Sequence, residues 1–386
     1  MKFEIMDNSG NAVIKVIGVG GGGGNAVNHM VDTGIDGVQF ICANTDAQAL
    51  KQMSVETIVQ LGVELTKGLG AGTRPEVGKA AAEENRDRIR EVMSGADMVF
   101  LTAGMGGGTG TGAITVFAEV AKELGVLTVA VVSKPFDFEG TKKKAVAESG
   151  LRDLEKLVDS LIIIPNQKLL PTLGNNRSLV ESFKVANDVL LDAVQGITEL
   201  ITHPGLMNVD FADVKTVMSN MGSAIMGTGV ATGENRARLA AEKAIACPLL
   251  EDINLQGARG ILVNVTSNGD LGLNEFDEIG SIMHNFASDD ADIKIGMAVN
   301  ANMGCEIKVT VVATGMGEKL KANNSPIKLV QKVAAGEVNY DQLEKPTVLR
   351  QQKQESARET RFGAQHRNDM DLEYLDVPAF LRRQAD

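Results

Sequence analysis

The sequence is poor in the residues that build metal and redox centres. Among 386 residues there are three cysteines and four histidines. Cys42, Cys247 and Cys305 stand in no metal-ligand spacing and the histidines do not cluster, so no protein metal site is expected. Cys42 falls in a strand-like run and Cys305 borders one, the pattern of small buried residues in a reducing cytoplasm. A basic surplus is missing too: 38 Lys and Arg face 50 Asp and Glu, a net charge of −12. That argues against nucleic acid as a partner, because non-specific binding rests on basic patches. No apolar run is long enough to span a bilayer. The N-terminal MKFEIMDNSG carries acids and no apolar core, so neither a signal peptide nor direct membrane insertion is expected. No G-x-x-x-x-G-K-[ST] occurs, which excludes a P-loop NTPase.

What is present is ordinary globular material, 44% hydrophobic and 23% charged, long enough for two or more domains. Residues 13–19, 37–43, 97–102, 127–133 and 160–165 are strand-like, rich in apolar and β-branched residues. Helical segments fall between them, starting at Asn25–Asp32 and continuing over 74–95, 113–124 and 142–158. Such alternation predicts a Rossmann-like parallel sheet covered on both faces. Ser178–Thr202 is the strongest helix: Ser178 and Glu181 form a capping box, and Leu179, Phe183, Ala186, Leu190, Ala193, Val194, Ile197 and Ile201 recur at helical spacing. At roughly 37 Å it is long enough to be a spine between domains. Beyond it, helices near 211–218, 236–246 and 273–286 and strands at 260–267, 292–299 and 306–314 predict a smaller α+β domain.

From about Glu318 apolar residues nearly vanish, the signature of disorder, and they return only in DLEYLDVPAFLRRQAD. The chain thus divides into a flexible N-terminus (1–12), an α/β domain (13–177), a central helix (178–202), an α+β domain (203–317), a disordered linker (318–370) and a C-terminal partner-binding peptide (371–386).

Two glycine runs carry the chemistry. GVGGGGGNA, Gly18–Ala26, follows a strand and opens a helix, the context in which bare helix amides bind phosphate. Alone it fits a dinucleotide, with Asp46 as the acid after the second strand, and an NAD-dependent oxidoreductase is one reading. AGMGGGTGTGA, Ala103–Ala113, repeats the strand-to-helix arrangement, which an ordinary dinucleotide fold does not. Two such turns in one sheet would hold a triphosphate from both sides, with amides and helix dipoles supplying most of the positive potential.

With NTDAQAL and YLDVPAFLRR, these runs resemble the tubulin-like GTPases, and among them the FtsZ family of bacterial cell division. The resemblance covers about residues 11–315 and the last dozen or so. It implies a tubulin-like fold and hydrolysis of GTP to GDP and phosphate. Mg²⁺ would be held mainly by phosphates and water. Gly21, Gly22, Gly23, Gly24 and Asn25 would contact the phosphates from one side, Gly107, Gly108, Thr109 and Gly110 from the other. Asn44, Thr45 and Asp46 match a loop near the γ-phosphate. Glu139 would accept from the ribose, and Lys143 stands where the family often has arginine. Phe183 would stack on guanine and Asn187, one turn later, would read its edge.

Asp210 and Asp213, read alone, are an N-cap and a first-turn acid. The resemblance instead matches Asn208, Asp210 and Asp213 to a loop that meets the next subunit's nucleotide in a head-to-tail filament and orients the attacking water. It implies a cytoplasmic protein at the mid-cell division ring. Residues 371–386 would bind membrane-anchored adaptors such as FtsA and ZipA and regulators such as MinC. A nucleotide-binding filament protein that does not hydrolyse is the remaining alternative.

Overall fold

The computed structural model describes residues 12–173, 178–202, 207, 209–219, 222–250, 258–288, 291–301 and 303–315. The N-terminus to residue 11, Asn208, the linker 318–370 and the peptide 371–386 lie outside them. Six strands form the first half: β1 (Ile14–Val19), β2 (Val38–Asn44), β3 (Thr57–Gln60), β4 (Met98–Gly104), β5 (Leu127–Lys134) and β6 (Ser160–Pro165). They run parallel in the order β3-β2-β1-β4-β5-β6. Their connecting helices are α1 (Gly20–Thr33), α2 (Ala47–Leu50), α3 (Val63–Thr66), α4 (Pro75–Glu84), α5 (Arg86–Met93), α6 (Gly108–Leu124), α7 (Thr141–Leu154) and α8 (Asn166–Leu173).

The strand period of two sorts the core into layers. Ile14, Val16, Phe100, Val129 and Val131 pack on one face with Val27 and Met30 of α1. Ile17, Val99, Leu101, Ala130 and Val132 pack on the other with Ile89, Ile114, Phe117 and Leu151. Both faces are dry, which is why these strands are continuous apolar runs rather than alternating ones. Each fully buried large side chain contributes roughly 1.5–3 kcal/mol.

The long helix α9 (Leu179–Thr202) has 24 residues and is about 36 Å long. Its capping box is formed: the Ser178 amide donates to Glu181 Oε2 at 2.7 Å and the Glu181 amide to Ser178 Oγ at 3.2 Å. Leu190, Val194, Ile197 and Leu200 share one core with β4 and β5 and with Leu262 and Val312 of the second half. That half comprises α10 (Phe211–Met218), β7 (Gly222–Ala231), α11 (Arg236–Ile245), β8 (Gly260–Ser267), α12 (Leu273–Phe286), β9 (Asp292–Val299) and β10 (Ile307–Thr314). Strand β7 joins the halves. Its first residues, Gly222–Ala224, pair in parallel with Ser160–Ile162 of β6, and Ile225–Ala231 pair antiparallel with β10. The result is a continuous ten-stranded sheet ending β7-β10-β8-β9.

Several local features depart from expectation, the short helices α2, α3 and α8 among them. Helices α1 and α6 start at Gly20 and Gly108, so the glycine runs are their first turns rather than loops before them. Glycine disfavours helix intrinsically, but here backbone packs on backbone: a Cβ at Gly23 would strike the Thr102 carbonyl oxygen. The expected helix over 74–95 breaks at Asn85, whose side chain accepts from the Gly62 amide at 2.7 Å. The edge strand β3 is too short to announce itself. Strand β7 is absent from the sequence reading because GSAIMGTGVA carries the glycines of a loop. A Cβ at Gly227 or Gly229 would strike the carbonyl oxygen of Ala244 or Ala240, so α11 lies directly on the strand. Gly229→Val should therefore lower unfolding free energy by about 3 kcal/mol, read as a reduced urea midpoint. An unchanged midpoint would contradict this packing.

Candidate nucleotide site

Adjacent central strands β1 and β4 end side by side, so the helices that follow them start side by side. A Cβ at Gly20, whose φ is +74°, would lie 2.7 Å from the Gly110 nitrogen. Only glycine allows that approach and that backbone angle. Neither helix has a side-chain cap: the N-cap residues are Val19 and Gly107, and no acid stands in either first turn. The first amides of a helix have no intrahelical acceptor. Two sets of them, with the positive ends of both dipoles, converge on one place.

A cavity of about 400 Å³ opens there, at the carboxyl ends of the strands. Gly21, Gly22 and Asn25 line it from α1, and Gly107, Gly108, Thr109 and Gly110 from α6. A Cβ at Gly21 or Gly107 would meet no atom within 4 Å, so the space beside them belongs to the cavity. Gly23 and Gly24 do not line it: Gly23 faces the Thr102 carbonyl and Gly24 faces Met53 Sδ at 3.4 Å. Not every amide is available to a ligand. The Gly108 amide donates to the Gly72 carbonyl and that of Gly106 to Thr111 Oγ1, both at 2.8 Å.

Asn44, Thr45 and Asp46 stand behind the cavity wall rather than in it. Asp46 caps α2, accepting from the amides of Gln48 (2.8 Å) and Ala49 (3.2 Å). Thr45 reaches the site indirectly, through a 2.6 Å hydroxyl contact with Thr109.

The other end of the cavity is less polar. Phe183, Ala186, Asn187 and Leu190 of α9 form one wall. Phe183 packs edge-on against Phe136 at 5.4 Å, and Phe136 stacks on Phe138 at 5.1 Å. Glu139 and Lys143 complete this end. Glu139 Oε1 accepts from the Phe136 amide at 2.9 Å, and its Oε2 accepts from Lys143 Nζ at 3.0 Å. Asp188 turns away to His29 of α1, 2.6 Å from its Nε2.

The cavity wall also contains Gly72, Gly104, Met105, Ser133, Pro135 and Asn166, which sequence reasoning missed. Asn166 carried a signal: it follows β6 directly, at the carboxyl end of the parallel strands, where ligands gather. It is buried, and its Oδ1 makes no hydrogen bond within the described residues.

Asp210 and Asp213 lie in the second half, and neither lines the cavity. Asp210 caps α10, its Oδ1 accepting from the Asp213 amide at 2.7 Å. Asp213 Oδ1 is 3.0 Å from Lys294 Nζ, and this pairing, with Asp292 nearby, raises the lysine pKa above its ordinary value.

A doubly covered parallel sheet whose two glycine-started helices share one cavity, continued by a mixed sheet, defines a tubulin-like GTPase. Residues 13–174 match the Tubulin/FtsZ family, GTPase domain, and residues 222–317 match the FtsZ family, C-terminal domain. Cell division protein FtsZ of Pseudomonas aeruginosa is 57% identical over 100% of both chains. That of Coxiella burnetii is 58% identical over 99% of each. The solved "FtsZ dimer, empty" from M. jannaschii matches with a TM-score of 0.76 and 42% identity, over 80% of this chain and 89% of that one. The chain belongs to the FtsZ family. It is a cell-division GTPase with GTP and GDP as its nucleotides, and the oxidoreductase reading of the first glycine run falls away.

Gly107→Val tests the cavity assignment. The extended N-cap backbone accepts a β-branched residue, and the added methyls enter open space. The variant should melt near the parent Tm without nucleotide, yet GTP should no longer raise its Tm. A parental shift with GTP would remove Gly107 from the phosphate site.

Proposed function

We propose that this chain polymerises head to tail and that the next subunit completes its hydrolytic site. One observation carries the reading. Among the described lining residues the cavity has a single carboxylate, Glu139, and it is engaged by the Phe136 amide and by Lys143. Hydrolysis of a phosphoanhydride needs a positioned water more than a strong base. On this reading Asn208, Asp210 and Asp213 of a neighbouring copy orient that water. The separation of both aspartates from their own chain's cavity supports it. Large apolar side chains near the nucleotide end, Leu69 (85% exposed) and Phe138 (61% exposed), suit burial between subunits. A contact between unlike faces does not close, so it extends into a filament.

In the proposed complex the amides of Gly21, Gly22, Gly107, Thr109 and Gly110 and the side chain of Asn25 receive the phosphates. Glu139 accepts from the ribose with Lys143 beside it, Phe183 stacks on guanine, and Asn187 offers both donor and acceptor to the base edge. Mg²⁺ fits a cavity wall so poor in carboxylates if phosphate oxygens and water supply most of its ligands, and when bound it neutralises phosphate charge. Residues 13–177 act as the GTP-binding domain, 178–202 as the linking helix and 203–317 as the domain that presents the acids. The filament forms the cytokinetic ring in the cytoplasm at mid-cell. Residues 318–370 tether the peptide 371–386, whose Leu375, Phe380 and Leu381 engage adaptors of the FtsA and ZipA kind and regulators such as MinC.

GTPase rate per subunit should rise cooperatively with protein concentration, with a threshold that coincides with GTP-dependent pelleting. Strict proportionality would instead mean a site complete within one chain. Asp213→Ala should bind GTP as the parent does and lose at least about a hundredfold in turnover. Loss of GTP binding by a folded variant would refute the role in trans. Deleting residues 371–386 should leave pelleting intact and abolish co-pelleting of an FtsA-type adaptor, and retained co-pelleting would exclude the peptide as the docking element.

A further inference from the structure

The acids proposed to act on the neighbouring nucleotide are not equally constrained. Asp210 is fixed by its capping bond to the Asp213 amide, 2.7 Å long. Asp213, in the first turn of α10, has no backbone partner for its carboxylate among the described hydrogen bonds and is part-exposed. What holds it is a side chain from another element: Lys294 of β9, with Nζ 3.0 Å from Asp213 Oδ1 and 3.7 Å from Asp292 Oδ1. The strand that carries this lysine also accommodates the segment before α10, because the Met297 amide donates to the Met207 carbonyl at 3.0 Å.

We propose that Lys294 is a positioning residue for hydrolysis, a claim that rests on Asp213 acting in trans. An open ion pair of this kind adds little to stability, so its consequence lies in geometry and charge. Engaging Oδ1 selects one orientation of the carboxylate and leaves Oδ2 to accept a hydrogen bond from water. The ammonium also offsets the combined charge of Asp210, Asp213 and Asp292, which would otherwise be driven from a triphosphate. In the step served, the water oxygen bonds to the γ-phosphorus while the bond from that phosphorus to the β,γ-bridging oxygen breaks. The electron pair stays with GDP, and the water protons pass to orthophosphate and solvent. Lys294 takes part in no bond change.

The test uses the full chain with Lys294→Met, Lys294→Arg and, as reference, Asp213→Ala. GTP affinity, pelleted polymer and GTPase turnover per pelleted subunit are measured on each. Lys294→Met should lower turnover about tenfold, the scale of a slightly misplaced catalytic group, with GTP affinity within about twofold of the parent. Lys294→Arg should restore most of the turnover, since it keeps the charge and a donor within reach of Oδ1. Parental turnover in Lys294→Met overturns the proposal, as does a loss that follows GTP affinity or one that arginine does not restore. If Lys294→Met no longer pellets and Lys294→Arg behaves likewise, the lysine belongs to assembly and the proposal also fails. Asp213→Ala separates the two levels: full turnover there sinks the reading in trans itself. Lost turnover there beside an unaffected Lys294→Met sinks only the role of the lysine.

Discussion

Two positive helix ends are held against each other in this fold, and much of the rest follows from keeping them there. Helices α1 and α6 meet across the backbones of Gly20 and Gly110, with no acid and no capping side chain between them. Like ends of two dipoles repel. The repulsion is overcome by the sheet beneath, where β1 and β4 are adjacent, buried on both faces and lined by Val16, Phe100, Val99 and Leu101. An anion placed between the two ends relieves what the core has to restrain. The chain therefore has a reason to bind phosphate without a lysine or arginine in either glycine run.

Helix α9 ties this end to the second half. Phe183 and Asn187 face the cavity near its N-terminus, while Ile197 and Leu200 sit further along in a core shared with Leu262 and Val312. One continuous element thus bears on the cavity wall and on the half that carries Asp210 and Asp213. The three-residue pairing of β6 with β7 adds a second, shorter connection. The cavity-lining glycines and the pair Asp210 and Asp213 are consequently built into separate halves of one chain.

Much of this was legible beforehand, and the failures share a cause. Five of the six parallel strands of the first half declared themselves as apolar β-branched runs, and α9 did so through its period and its Ser178–Glu181 box, because burial and capping are local in sequence. Phe183, Asn187, Glu139 and both glycine runs were picked out, and most of them meet in one cavity. What was missed depends on contacts made at a distance. Glycine in α1, α6 and β7 looks like loop until the opposing backbone is known, and Gly23 looks like a phosphate contact until Thr102 is seen against it. Asn166 and Ser133 line the cavity only because strand order brings their ends together. Lys294 means nothing in sequence, lying far along the chain from the Asp213 it pairs with.

The closeness of α11 to β7 has a historical corollary. Gly227 and Gly229 leave no room for a methyl group, and the helix above them presents the buried alanines Ala240 and Ala244. The strand cannot enlarge unless the helix backbone retreats. Substitutions tolerated in this helix should therefore collect on its exposed side, at Arg238, Leu239 and Glu242, while the glycine–alanine seam descends as a single inherited unit.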